Sequence, residues 1–420
     1  MTTVTGNTQA VASWLTANAH PLPGTNASQA RPALSPLRDV VGDARIVGIG
    51  GSVYGSHEQF TLTTAVIQYL IEELGFRTVA TEEDWDVALP IDEYVGGGTG
   101  DVDALVADSG MPWRTRETRE LLEWLRDYNS RATERVRFVG AGVIDTRAEV
   151  YDLVSDHVGR VAPERAADLA AHFGPIRPTG PDHVGWFFTQ AQDKDALVAH
   201  ARAALELVES LPRTAGDQTH ELAVQHTRQI VGFYEHYTHH VVEDGYRDRF
   251  MADNLAWWHE HTGHRIAYWS TTAHSFRADE LAIAIPPKGT IRFRPTGRHL
   301  RDRFGDGYAS LALSYGEGEV VSGWGLPPFQ RRVVGTSSVP DGFVDSVLNS
   351  VEHESYLVSF RGELPDEVRE WRARQGQARV IGSVASPDIP SESYWLTGGT
   401  QTDWYDAVIH TRTSTPTRDL

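Results

Sequence analysis

Four short stretches bring acid–base groups to places where chains commonly do chemistry. "GSVYGSHE", residues 51–58, carries Tyr54 and then His57 and Glu58. "TEEDW", residues 81–85, gathers Glu82, Glu83 and Asp84; "GVID" ends at Asp145; "STTAHS", residues 270–275, holds Thr271 and His274. A carboxylate or imidazole whose pKa lies near the working pH can accept a proton. A phenol, with a reference pKa of about 10, serves instead as a hydrogen-bond donor to a carbonyl or departing oxygen. A carboxylate, an imidazole and a phenol donor together would suit enolisation, elimination, cyclisation or dehydration at least as well as hydrolysis. Glu82 is expected to be the one acid of its run that faces inward. Glu58 is expected to serve the first turn of a helix, where the dipole favours it.

A second cluster is "FYEHYTHH", residues 233–240. His236 and His240 stand four apart, as do His239 and Glu243, which is metal-ligand spacing on an α-helix. No third ligand accompanies them, and the chain has no cysteine, so no metal and no other cofactor is expected. His226, Phe233, Tyr237 and His240 share a helical face. With Trp186, Phe187 and Phe188 they would wall a crevice for a bulky, partly apolar ligand; core packing is the alternative reading. "GGGTG", residues 96–100, lacks the Lys-Ser/Thr of a phosphate loop and reads as a turn.

The elements that must position these groups are legible as apolar runs. Strand-length runs fall at residues 45–50, 78–82, 136–143, 265–271, 309–315, 355–360 and 405–410, several of them apolar on both faces. Helical patterns lie between the first of them, with Phe60, Ile67, Leu70, Ile71 and Leu74 on one stripe. This alternation predicts an α/β fold: a largely parallel sheet flanked by helices. From about residue 147 to 261 the strands stop, and the composition is helical. The expected organisation is a first part of the core over residues 1–146, an inserted helical lobe over 147–262 covering the crevice, and the rest of the core over 263–420. "AVASWLTANAH" near the start should be a short surface helix, and the last residues, "HTRTSTPTRDL", a loose tail. Ligands bind outside the carboxyl ends of the strands of such sheets. Tyr54, His57, Glu82, Thr271 and His274 all fall at such ends.

The partner follows by elimination. A net charge of −19 argues against nucleic acid and anionic membrane, which attract a positive surface. No run approaches the ~20 apolar residues of a membrane span, and the opening residues lack a secretory signal pattern. With two lysines, Lys194 and Lys288, there is little material for Schiff-base chemistry. A bulky small molecule handled in the cytoplasm is the expectation, with the oligomeric state left open.

Several of these stretches, in order, resemble the erythromycin esterase-like family, which includes proteins assigned to succinoglycan biosynthesis. "IVGIGGSVYGSHEQF" is similar to the family's strand–turn–helix, usually written G-E-A-T-H-G-x-x-E-F. "LIEELGFRTVATEEDW", "PWRTRETRELLEWLRDYN" with Trp113, "VRFVGAG", "RFMADNLAWW" and "RIAYWSTTAHSF" follow in the family's order. The resemblance implies a metal-independent hydrolase in which a first-loop His acts as base, and macrolide lactones are its esterases' substrates. By the same resemblance the first-loop Glu falls on Gly51, the His on Tyr54, an Arg on Thr63 and a later His on Thr271. Glu82 and His274 keep the usual residues, so by the resemblance they are the expected acid–base pair, with Tyr54 assisting. A divergent tailoring enzyme of natural-product metabolism is therefore expected. A hydrolase with its base re-sited, for instance onto His57, and a non-catalytic binding protein remain the alternatives. Trp113, Trp186, Phe233, Tyr237, His240 and Thr271 are the expected substrate-binding residues.

Overall fold

The computed structural model describes residues 2–180, 182–212, 217–240, 245–324 and 330–420. The strands in chain order are β1 (His20–Pro21), β2 (Ile46–Gly51), β3 (Thr78–Asp84), β4 (Arg137–Gly142), β5 (Ile266–Thr271), β6 (Leu281–Ile285) and β7 (Gly289–Phe293). They continue with β8 (Tyr308–Trp324), β9 (Gln330–Thr336), β10 (Ser355–Ser359), β11 (Gln375–Arg379), β12 (Trp395–Thr400) and β13 (Ala407–Ser414). The larger sheet has the order β1-β10-β13-β8-β2-β5-β3-β4, with β9 on β8. β13, β8, β2, β5 and β3 run parallel to their neighbours in that series, while β1, β10 and β9 are antiparallel additions. A smaller antiparallel sheet has the order β11-β12-β6-β7.

The central strands explain their own sequences. Every residue of β2, β3 and β5 is buried, so none of them shows the alternation of a half-wet strand. The α/β expectation therefore stands, with the sheet mostly parallel and flanked by helices. The chain divides into two compact units: Met1–Thr81, Pro90–Phe138 and Trp258–Leu420 form one, and Glu82–Leu89 with Val139–Trp257 the other. β3 and β4 begin in the first unit and continue into the second.

Within the first unit, the opening helix runs over Thr2–Asn18, longer than the short surface helix expected, and buries Val11 and Leu15 in a core with Phe276, Leu396 and Trp404. The expected loose tail is instead bound. β13 extends to Ser414, and Glu58 takes hydrogen bonds from the Thr415 backbone N–H (2.7 Å) and hydroxyl (2.6 Å). Glu58 thus serves the helix His57–Leu74 by pinning the chain end across its first turn. No helix among the described residues is long and apolar enough to cross a membrane.

Within the second unit, the helices Ala148–Val161, Ala166–Phe173, His183–Thr189, Lys194–Glu209 and Gln218–Glu235 enclose a core that includes Tyr151, Phe187, Phe233 and Tyr234. Buried Asn254 ties β4 to these helices. It donates to the Ala141 carbonyl (3.0 Å) and to Gln229 Oε1 (3.0 Å), and accepts from the amides of Gln225 (2.7 Å) and Gln229 (2.9 Å). Removing it strands several buried polar groups at once. Asn254→Ala should lower stability in urea denaturation by on the order of 2–3 kcal/mol. A loss below ~0.5 kcal/mol, the range of ordinary surface substitutions, would show the network to be dispensable.

Candidate active site

The carboxyl ends of the central strands are level. Gly50 pairs with Ser270 and Gly51 with Thr271 on β5, while Gly51 pairs with Leu313 on the other side. Thr81, the residue before Glu82, pairs with Trp269. After β5 the chain turns at once through Thr272–Ser275, which carries His274. That turn packs so closely on β2 that a Cβ at Gly50 would collide with the Ser275 hydroxyl and come 2.9 Å from the Thr272 Cα. Glycine is required there by space. Thr271 is buried; His274 is half-buried, its ring 6.0 Å from that of Phe293.

At Gly51 a neighbour occupies the space into which a side chain would project. A Cβ there would stand 2.9 Å from Gln59 Oε1. The Gln59 amide donates to the Ser52 hydroxyl (2.8 Å) and accepts from the Val53 N–H (3.3 Å), locking the turn between strand and helix. Tyr54 is half-buried and meets Trp113 edge-on, with centroids 5.8 Å apart. Trp113 in turn stands perpendicular to Trp269 (4.8 Å), which also meets Phe60 (4.8 Å). Tyr54 and Trp113, two of the predicted site residues, are thus brought together by aromatic edge contacts.

His57 is committed differently. Ser56 caps its helix, and the His57 ring donates through Nδ1 to Glu117 Oε1 at 2.6 Å. Arg418 donates to the same carboxylate through its backbone N–H (3.2 Å) and Nε (2.8 Å). His57 lines a cavity of about 530 Å³ together with Arg31, Thr61, Gln68, Glu117 and Trp124. Burial alone would raise the Glu117 pKa, but the hydrogen bonds from His57 and Arg418 outweigh it and bring the group to about 2. The hydrogen bond to Glu117 raises His57 above its ordinary value, against burial.

The acidic run after Thr81 departs from expectation. Glu82, Glu83 and Asp84 are all buried, because β3 continues through Asp84 and both faces are covered. Gly142 on β4 lets the run approach: a Cβ there would meet the Glu82 carbonyl at 2.6 Å and Asp84 Oδ1 at 2.7 Å. The environments then separate the carboxyls. Glu82 lies 3.6 Å from the Arg247 guanidinium. Asp84 accepts from the Ile144 N–H (2.6 Å), yet burial, with Glu83 and Asp145 nearby, pushes it well above the carboxylate range. Asp86, which sequence reasoning missed, accepts from the Arg147 N–H (2.9 Å), and burial raises it to about 7. A carboxyl that titrates near neutrality is suited to general acid–base work.

The aromatic residues of the second unit divide between core and surface. Phe233 is fully buried, packed on Phe187, Tyr234 and Tyr237; that is core packing, and it offers no face to a ligand. Trp186 is half-buried and stacks on His183 (4.8 Å), and half-buried Tyr237 donates to the Ile144 carbonyl (2.9 Å). His240 stacks on Tyr246 at 4.2 Å. His226 accepts from the Trp85 indole N–H (3.1 Å), and burial drives it down to about 4, so it is neutral at physiological pH. His236–His240 is a π-helical turn, so the i, i+4 alignment of an α-helix does not hold across it. Glu243 lies outside the described residues. Among the described residues no group of three or more His, Asp or Glu side chains is placed to hold a metal ion.

The His57–Glu117 pair makes a pH prediction whose sign is fixed. Glu117 stabilises the fold above its ordinary value of 4.5, and that contribution is lost as pH falls towards about 2. His57 contributes fully below its ordinary value of 6.5 and loses the contribution as pH rises through its higher folded value. The pair therefore stabilises most at mildly acidic pH. NMR titration should place His57 above 6.5 and, in Glu117→Gln, below it, because burial and the Arg418 charge then outweigh the attraction of Glu58. An identical midpoint in both proteins would refute the pairing.

Comparison with known proteins agrees with this architecture. The erythromycin esterase family model matches residues 71–414, starting beyond the loop that holds Gly51 and Tyr54. The type II erythromycin esterase of Escherichia coli is 23% identical over 374 residues, covering 80% of this chain and 84% of that protein. A crystal structure of a Bacillus cereus protein superposes with a TM-score of 0.84 at 22% identity, over 98% of this chain and 99% of that one. A second crystal structure, of a succinoglycan biosynthesis protein, gives 0.81 at 20% identity over 98% of both chains. By the extent of the match, this chain belongs to the erythromycin esterase family.

Proposed function

We propose that this chain is a tailoring enzyme that performs metal-independent acid–base chemistry on a bulky natural product: cyclisation, elimination, dehydration or a similar proton transfer. The observation that carries this reading is the Gln59 amide seated where a side chain at residue 51 would project. The first loop has been closed around an uncharged group. Tyr54, at the position the resemblance gives to the base, is a donor at neutral pH. Removing a general base typically forfeits ~10²–10⁴-fold in rate, so lactone hydrolysis by the family's route is disfavoured. Glu82, beside Arg247, is the proton acceptor in this reading, His274 the imidazole partner and Tyr54 the hydrogen-bond donor. Trp113 and Thr271 border the carboxyl ends of the same strands, which supports their role in holding the ligand.

One observation favours a second reading, an ester or lactone hydrolase with its base moved to His57. Its Nδ1–H is fixed on a carboxylate, and the ring lines a cavity, as in a water-activating imidazole–carboxylate pair. The two readings separate by mutation. Metabolite extracts of the source organism would be incubated with the wild type, Glu82→Gln, His274→Ala and His57→Gln, and followed by mass spectrometry. The proposal expects a consumed compound whose turnover falls ~10²-fold or more in Glu82→Gln but persists in His57→Gln. Near-native turnover in both Glu82→Gln and His274→Ala, with normal folding, would sink the assignment. Binding without turnover by the wild type would make the chain a sequestering protein.

A further inference from the structure

A cavity of about 510 Å³ opens in the first unit at the amino ends of β8 and β13. The Asp406 N–H donates to the Ser310 carbonyl (2.8 Å), and Ser310 pairs with Gly48, three residues before Gly51. The cavity is therefore roughly 10 Å down the strands from the candidate active site. In a chain of net charge −19, five of its lining residues are arginines.

Their charges are unequally matched. Arg298 pairs with Asp279 (3.0 Å) and Asp302 (3.1 Å), and Arg301 with Asp306 (2.7 Å). Arg277 and Arg361, by contrast, share the single carboxylate of Asp406, at 2.9 and 3.2 Å. Arg372 is only 4% exposed and makes no ion pair with a carboxylate among the described residues. It donates to the carbonyls of Gln401 and Tyr405, and its guanidinium lies 4.3 Å from the Phe360 ring centroid and 5.3 Å from that of Tyr405. Asp403, which also lines the cavity, is occupied in capping, accepting from the Thr400 N–H (2.8 Å) and hydroxyl (2.7 Å).

Two guanidinium groups thus share one carboxylate, and a third, Arg372, lines the same cavity with backbone carbonyls and aromatic rings in place of a carboxylate partner. Burying a cation without its counter-charge is costly, and burial is the main reason the Arg372 pKa is down to about 10. A guanidinium presents a planar fork of donors that matches the oxygens of phosphate and carboxylate. We propose that this cavity binds a small, multiply charged oxyanion, a phosphorylated or polycarboxylated metabolite, through Arg277, Arg361 and Arg372. The proposal is independent of the catalytic reading, since none of these residues belongs to the candidate active site.

Isothermal titration calorimetry tests it, with pyrophosphate and citrate as probes and sodium chloride at matched ionic strength as control. At least one probe should bind saturably, one per chain, while chloride should give no saturable signal. Stronger binding of pyrophosphate would assign the phosphate class, and stronger binding of citrate the carboxylate class. Arg361 is about one-third exposed, so Arg361→Gln should fold normally and weaken binding by about tenfold or more. Arg131→Gln, an exposed arginine outside the cavity, should leave it unchanged. Absence of saturable binding by both probes would overturn the proposal. So would affinity in Arg361→Gln equal to that of the wild type.

Discussion

Strand β2 is held on both edges and crowded on one face, and the positions of the candidate groups follow from that constraint. It pairs in parallel with β5 and β8 along its whole length, from Ile46 to Gly51. A Cβ at Gly48 or Gly50 would strike Tyr308 or Ser275. The Tyr308 hydroxyl also donates to the Ser275 carbonyl (2.6 Å), fastening the turn after β5 against the sheet. Gly51, Thr271 and the turn bearing His274 therefore have little freedom, and a larger residue at either glycine would displace all three.

On this fixed frame, chemistry is set by environment more than by residue type. Three acids within five residues of the second unit lie in different surroundings. Glu82 lies beside a guanidinium, Asp84 is driven up by burial and neighbouring charge, and Asp86 is brought to about 7. Glu117, in the first unit, is taken the other way by His57 and Arg418. The first loop is the contrast. There Gln59 satisfies the Val53 N–H and the Ser52 hydroxyl with a group that does not titrate, so the turn keeps its shape without a base.

Much of the sheet was legible because buried parallel strands leave continuous apolar runs, as in residues 265–271 and 45–50. The strand ends marked Tyr54, Glu82, Thr271 and His274 for the same reason. What escaped notice depends on contacts between residues distant in sequence. Arg418 reaches Glu117 across 301 positions and fixes a tail that composition alone marks as loose. Arg247 meets Glu82 from another element, with no local pattern to announce it. Asp86 looks ordinary until its burial is known, and the inward-facing Glu83 and Asp84 defy alternation because their strand is covered on both sides. The π turn at His236–His240 breaks the spacing rule that had marked those histidines as metal-ligand candidates.

The central claim is the proposal that the family scaffold is kept while the first loop, with Gly51, Gln59 and Tyr54, no longer supports hydrolysis. Its most direct test is incubation of the purified chain with a panel of macrolide lactones, scored by mass spectrometry for the gain of one water. The account predicts no hydrolysis above the uncatalysed background. Turnover at ordinary enzymatic rates, roughly 1 s⁻¹ or faster, would contradict it.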